Sequence, residues 1–328
     1  MQIDKLRLYD NTETSTARRC LRLYYYRHIR KWKTTGIELP LIFGGSWHAA
    51  MDVIWAALVK PESLRPTKQR IVTDAIAAFT DKWMDYGMPP PDEIDQEMYA
   101  EMAPRTPGQA MEMIVAYVDY RLKIGEQFEL VSVEQAFAVP LTPDDPTLFY
   151  VGKIDKIVKR RGKILGIEHK TTTAYRKNGP FRGEFTDSFS PNSQVDGYLY
   201  ALHMMHPGEV GGVWVDAALV HKQEEGFMFI PIERRLEHLD NWLWEVLWWV
   251  NIIEQEKKHL EGTKPDDKYM QAFPKNTNSC WDFHRMCPYM GLCKAWPNPM
   301  GRDIPQGFKE EEWSPLTHIP NLAKVLSS

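Results

Sequence analysis

The sequence predicts a mixed α/β fold: a small sheet carrying a charged hairpin, flanked by helices, with the two ends of the chain tied together through cysteines. Three observations lead there. Residues from about Phe128 to Ile232 contain alternating, β-prone runs broken by turn signals. Apolar residues at helical spacing precede and follow those runs. The only four cysteines divide one against three between the chain's two ends. With 43% hydrophobic residues, 12% of the total aromatic, the 328-residue chain can bury a substantial core.

In chain order, a helix is expected from about Ser15 to Lys33, preceded by Ser and Thr as caps and followed by Gly36. A second spans Ser46 to Val59, where Trp47, Met51, Ile54, Trp55 and Leu58 form one apolar stripe. Residues 60–126 have an interrupted helical pattern and are taken as a helical insertion within a single domain of residues 1–328. Val131, Val133, Phe137 and Val139 alternate as a strand, and a hairpin of Leu148 to Val158 and Lys163 to Thr171 turns at Arg161-Gly162. A helix from Ser193 to Met205, strands near Val213 to Val220 and Phe227 to Ile232, and an aromatic helix from Leu236 to Leu260 follow. Residues 265–328, rich in Pro, Gly and Asn and carrying three cysteines, form a segment held by something other than an apolar core.

Neither an N-terminal apolar signal region nor an uninterrupted run of 18 apolar residues is present, so the expected location is cytoplasmic, without a membrane partner. The net charge of -4 does not advertise a polyanion partner, but its distribution does. Seven Lys or Arg residues and no acid lie between Ala17 and Ile37, among them Arg18, Arg19, Arg22 and Arg27, interleaved with Tyr24, Tyr25 and Tyr26. Such a strip suits a nucleic-acid strand, its cations meeting phosphates and its rings stacking on bases.

The hairpin carries the chemistry. With a two-residue turn at Arg161-Gly162, Asp155 falls opposite Glu168, and paired Cβ atoms stand about 5 Å apart. Strand alternation puts Lys170 on the same face as Glu168. Two carboxylates this close repel unless a cation lies between them, and hard oxygen ligands suit Mg²⁺ or Mn²⁺. A bound divalent ion beside an ammonium group is the equipment of phosphodiester hydrolysis.

Cys20 stands alone near the N-terminus, while Cys280, Cys287 and Cys293 form C-x6-C-x5-C. Four thiolates hold either tetrahedral Zn²⁺ or an iron-sulfur cluster. The tight C-x2-4-C knuckles usual for structural zinc are missing from this chain. Either metal would tie the N-terminal helix to the C-terminal segment.

Together these motifs resemble the RecB-like branch of the PD-(D/E)XK nuclease superfamily. The resemblance lies in Gly152-x-x-Asp155, Glu168-x-Lys170, Gln194-x3-Tyr198 on the following helix, and an upstream His48 in Gly44-Gly45-Ser46-Trp47-His48. It implies a restriction-endonuclease-like core, with His48, Asp155, Glu168 and the backbone carbonyl of His169 as ligands of Mg²⁺ or Mn²⁺. Lys170 becomes the catalytic lysine, and Gln194 and Tyr198 support the site or touch DNA. Arg18-Arg19-Cys20 through Tyr26, with Cys287-Pro288-x4-Cys293, is similar to the iron-sulfur members of that branch, including the AddB nuclease domain and CRISPR-associated RecB-type exonucleases. This implies a [4Fe-4S] cluster on Cys20, Cys280, Cys287 and Cys293, although the Cys280 to Cys287 gap is wider than the two residues commoner there. The expected activity is exonucleolytic cleavage of DNA, single-stranded or with free ends, in recombination, repair or processing, alongside a recombination or helicase partner. No G-x-x-x-x-G-K-[ST] loop occurs in the chain itself. The alternative is a non-catalytic DNA-binding or scaffold subunit that keeps the fold.

Overall fold

The computed structural model describes residues 5–176, 179–282 and 285–327. Its elements begin with β1 (Arg7–Tyr9), α1 (Asn11–Arg19), α2 (Leu21–Tyr24), β2 (Trp32–Thr34), α3 (Leu39–Leu58), α4 (Lys68–Asp85), α5 (Gln96–Met102) and α6 (Pro107–Ile124). Next come β3 (Glu129–Pro140), β4 (Leu148–Arg160), β5 (Lys163–Thr172), α7 (Gly183–Asp187), α8 (Ser193–Met205), β6 (Val210–Leu219) and β7 (Phe227–Ile232). The last part holds α9 (Leu236–Glu261), β8 (Trp281–Asp282), β9 (Arg285–Met286), α10 (Met290–Ala295), β10 (Phe308–Glu310), α11 (Pro315–His318) and α12 (Leu322–Ser327). This is the mixed α/β class the sequence predicts.

The chain divides into two compact units. Ile37–Gln135 and Ile154–Arg234 make one, and Met1–Gly36, Ala136–Lys153 and Arg235–Ser328 the other. In the first, the hairpin unit, β4 pairs antiparallel with β5, β5 parallel with β6, and β6 antiparallel with β7. Its core joins Trp47, Met51, Ile54 and Trp55 of α3 to Phe79 and Trp83 of α4, Tyr117 of α6 and Ile167 of β5. By length and composition α3 is apolar enough to cross a membrane, but those same residues are the centre of this core.

Helix α3 starts earlier than its apolar stripe suggested. Pro40 fits its first turn, where the backbone has no hydrogen bond to lose, and Gly44 and Gly45 continue it. A Cβ at Gly45 would collide with the Tyr86 hydroxyl, so close packing explains that glycine.

In the second, the cysteine unit, β1 runs parallel to the first residues of β4, and β2 pairs with β10. The single helix expected from Ser15 to Lys33 is broken: α1 ends at Arg19, Cys20 is extended, and a π-turn over Tyr25–Ile29 leads to β2. Tyr24, Tyr25, Tyr26 and Trp32 are buried there. Tyr26 stacks on Tyr289 with ring centroids 5.4 Å apart, and Tyr24 on Phe273 at 5.8 Å.

Gly152 of β4 faces Phe137, whose ring would approach an added Cβ to 2.5 Å. Gly152→Ala is therefore expected to destabilise the protein by about 1–3 kcal/mol through overpacking. Urea denaturation checks this, and an unchanged midpoint would show that Phe137 moves aside freely.

Candidate active site

The hairpin turns through Arg161 (φ 49) and Gly162 (φ 80). Both lie in the left-handed region, as a two-residue turn matched to strand twist requires. This turn sets the register Arg160↔Lys163 through Lys156↔Ile167, which brings Asp155 and Glu168 to the next rung. Here the ladder gives way to side chains: Asp155 Oδ2 accepts the His169 N–H at 2.9 Å.

Four elements of the hairpin unit meet at this rung. From α3, His48 presents Nδ1 to Asp155 Oδ1 at 3.4 Å and Nε2 to the carbonyl oxygen of His169 at 3.0 Å. Lys170 Nζ lies 2.5 Å from Glu168 Oε1 and donates to Gln194 Oε1 at 3.2 Å. Gln194 Nε2 in turn donates to the Tyr198 hydroxyl at 2.9 Å, across one turn of α8. That helix is started by Asn192, whose side chain accepts from the Gln194 and Val195 N–H groups. His48, Asp155, Glu168, the His169 carbonyl, Lys170, Gln194 and Tyr198 thus gather in one place.

Asp155 and Glu168 are both buried, at 7% and 3% exposure, and their environments pull them apart. Burial disfavours the charge on Asp155, but His48, His169 and Lys156 more than offset it and hold the carboxyl well below the usual range. Glu168 is pushed up by burial and then by the neighbouring Asp155 charge, with Lys170 only partly opposing. Burial would lower the Lys170 ammonium, yet Glu168 raises it, so it remains charged.

Glu168 Oε2 is buried without a hydrogen-bond partner. A lone carboxylate oxygen in such a place is costly, and the same rung gathers the Asp155 carboxylate, the His48 ring and the His169 carbonyl. That donor set fits a small hard divalent cation. Among the described residues, no three His, Cys, Asp or Glu side chains form a closed cage. Here one donor is a backbone carbonyl, and His48 and Lys170 occupy the carboxylates.

The basic strip is arranged differently from expectation. Arg22 and Tyr25, at 3% and 2% exposure, do not offer a stacking and phosphate-binding face. Arg22 Nε donates to the Phe273 carbonyl at 2.9 Å, and Tyr25 packs against Tyr26 and Phe273. An aromatic side chain has a large area to withdraw from water, so these rings fill the interior of the cysteine unit. Of the other residues assigned to DNA contact, Arg19 is exposed while Arg18 and Arg27 are half-buried. Arg18 borders a groove with Trp244, Trp248 and Trp249.

The same unit brings Cys20, Cys280, Cys287 and Cys293 around one small cavity, closed by Leu23, Tyr289 and Met290. The Asn276 N–H donates to Cys20 Sγ at 3.3 Å, and the Cys287 N–H to the Cys280 carbonyl at 2.9 Å. Burial pushes up the Cys287 and Cys293 thiols, and Cys20 adds to both shifts, so the sulfurs sense one another. Four half-buried thiols lining one cavity are the ligand type of a thiolate-bound metal or cluster, although among the described residues no three of them are drawn into a finished metal site.

Asp52, Lys156 and Asp216 escaped sequence reasoning. Asp52 lies one helical turn beyond His48, and Lys156 and Asp216 interrupt otherwise apolar strands; those were the available signals. All three touch or approach the back of the site. Lys156 Nζ donates to Asp52 Oδ1 at 2.7 Å, and Asp216 Oδ2 stands 3.0 Å from His169 Nδ1.

A family model described as the PD-(D/E)XK nuclease superfamily matches residues 12–294. No curated protein matches the chain. Among solved structures, it is similar to a protein from Eubacterium rectale provisionally described as an exonuclease, at 14% identity and a TM-score of 0.32, covering 59% of this chain and 66% of that one. It is also similar to SSO0001, at 10% identity and a TM-score of 0.25, covering 70% of this chain and 97% of that one. The chain thus spans slightly less than two thirds of the first of these proteins.

Proposed function

The chain belongs to the PD-(D/E)XK nuclease superfamily, and we propose that it is a Mg²⁺- or Mn²⁺-dependent deoxyribonuclease of the RecB-like branch. The observation that carries this reading is the buried pair Asp155 and Glu168 on one rung, with Lys170 beside it and one glutamate oxygen unpartnered. Asp155, Glu168, His48 and the His169 carbonyl would hold the ion, which when bound polarises a phosphoryl oxygen and makes a coordinated water more acidic.

The remaining work falls to the chain's own groups. Lys170 has three N–H donors; two face Glu168 and Gln194, and the third is available to the attacking water or a phosphoryl oxygen. Its raised pKa keeps it an ammonium at neutral pH, so it supplies a proton or positive charge where the pentacovalent phosphate gains negative charge. Gln194, fixed by Tyr198, aims that ammonium.

Exonucleolytic action on single strands or ends, and a [4Fe-4S] cluster on Cys20, Cys280, Cys287 and Cys293, complete the proposal. Both rest on the likeness to iron-sulfur RecB-like nucleases, and the cluster also on the shared cavity of the four thiols. End-labelled linear DNA, closed circular DNA and single strands incubated with Mn²⁺ provide the test. Cleavage of the linear and single-stranded substrates is expected, abolished by chelator, with circular duplex spared. Because a proton on Glu168 competes with the cation, the half-saturating Mn²⁺ concentration should rise as pH falls. Cleavage unaffected by chelator would defeat the metal assignment, and rapid nicking of circles would defeat the exonuclease one.

A further inference from the structure

His169 is the residue on which the site's backbone turns. Its N–H orients the Asp155 carboxylate, and its carbonyl faces His48. Strand alternation sends its imidazole to the opposite face of β5 from Glu168 and Lys170, where it is fully buried.

There Nε2 is hydrogen-bonded, and Nδ1 faces a carboxylate at ion-pair distance without the alignment of a hydrogen bond. Nε2 lies 2.8 Å from Lys156 Nζ, and Nδ1 3.0 Å from Oδ2 of Asp216, its register partner on β6. An ammonium can only donate and a carboxylate only accept, so these partners select one neutral tautomer, with the proton on Nδ1. The clamp extends on both sides: Lys156 reaches Asp52 on α3, and Asp216 accepts from the Tyr117 hydroxyl, which also takes N–H bonds from Trp55 and Arg121 at 3.0 Å each. One network therefore fixes β5 and the helix that carries His48.

Stability alone is a poor reason for this arrangement. Lys156 is completely buried, and a buried ion pair is often no more stabilising than well-packed apolar side chains of similar volume. What such a network provides is a single orientation. We infer that His169 is a positioning residue, and that Lys156 and Asp216, clamping its ring from behind, fix the peptide groups that arrange the divalent-ion site. This rests on the metal-dependent reading proposed above.

The test measures Mn²⁺ binding directly, by electron paramagnetic resonance and calorimetry on the full chain, with thermal melting and DNA cleavage alongside. In Lys156→Met, an apolar side chain of similar length replaces the buried cation but leaves Asp52 and His169 Nε2 without their partner, so Tm should fall, and in the protein that melting shows to be folded Mn²⁺ affinity should drop by about 10–100-fold. Asp216→Asn, which keeps the shape and weakens the other clamp, is expected to shift affinity in the same direction. Wild-type affinity in either folded variant would overturn the inference while leaving the nuclease reading intact, provided the wild type binds Mn²⁺ and cleaves. A wild type that takes up no Mn²⁺ would remove the metal centre and the inference together.

Discussion

Replacing Lys170 by methionine is expected to slow DNA cleavage by about 10²–10⁴-fold, the usual contribution of a positioned proton donor or acceptor. The ammonium stands between Glu168 and Gln194, and both partners orient it rather than consume it. Methionine keeps the length of the side chain and removes only its charge and donors. Loss of the charge also removes the group that partly counters the upward shift of Glu168, so that carboxyl should hold its proton more tightly. Addition of Mn²⁺ should then recover little activity, because the missing group acts on the reacting phosphate. Asp155→Asn and Glu168→Gln attack the same chemistry from the ligand side and should be at least as damaging. Single-turnover cleavage of end-labelled DNA, with circular dichroism to verify folding, measures all three. Rates near wild type in Lys170→Met would remove the lysine from the mechanism, and wild-type rates in all three variants would move catalysis elsewhere in the protein.

The second large effect is expected at the cysteines. Cys20 and the three late cysteines surround one cavity, so a metal group there would close a ring containing most of the chain. By analogy with disulfides, a cross-link closing a ring beyond about 100 residues contributes on the order of 5 kcal/mol. For units of this size that corresponds to a fall in Tm of roughly 10–20 °C when it is lost. Cys20→Ser is the most informative variant, because it removes the ligand that is distant in sequence. Protein purified without oxygen should be brown and contain iron and sulfide, and the variant should lose both along with the thermal stability. Stoichiometric zinc in a colourless wild type would replace the cluster with a mononuclear site. Equal Tm in wild type and variant would mean that the four thiols carry no cross-link at all.

Not every part of this architecture could be read from one dimension. The hairpin was legible because its information is local. Arg161-Gly162 accepts left-handed backbone angles, so the turn has two residues, and the pairing of β4 with β5 follows by counting. Helix α8 was legible for the same reason, since Gln194 and Tyr198 lie one turn apart; that Asn192 caps it emerged from the structure. The basic tyrosine segment was not. Its composition suits a nucleic-acid surface, and only the presence of Phe273 and Tyr289, some 250 residues later in the chain, turns its rings inward.

By itself the sequence determined the class of fold, the register that brings Asp155 and Glu168 to one rung, and the division of the cysteines between the two ends. Those properties depend on turn chemistry and on side-chain periods, which neighbouring residues set. Tertiary structure alone decided that Arg22 and Tyr25 are interior, that a carboxylate oxygen of Glu168 is left without a partner, and that Lys156, His169 and Asp216 form a clamp behind the site. The reason is that whether a charged or aromatic side chain is buried depends on the partners that distant elements bring to it, and no local pattern specifies them.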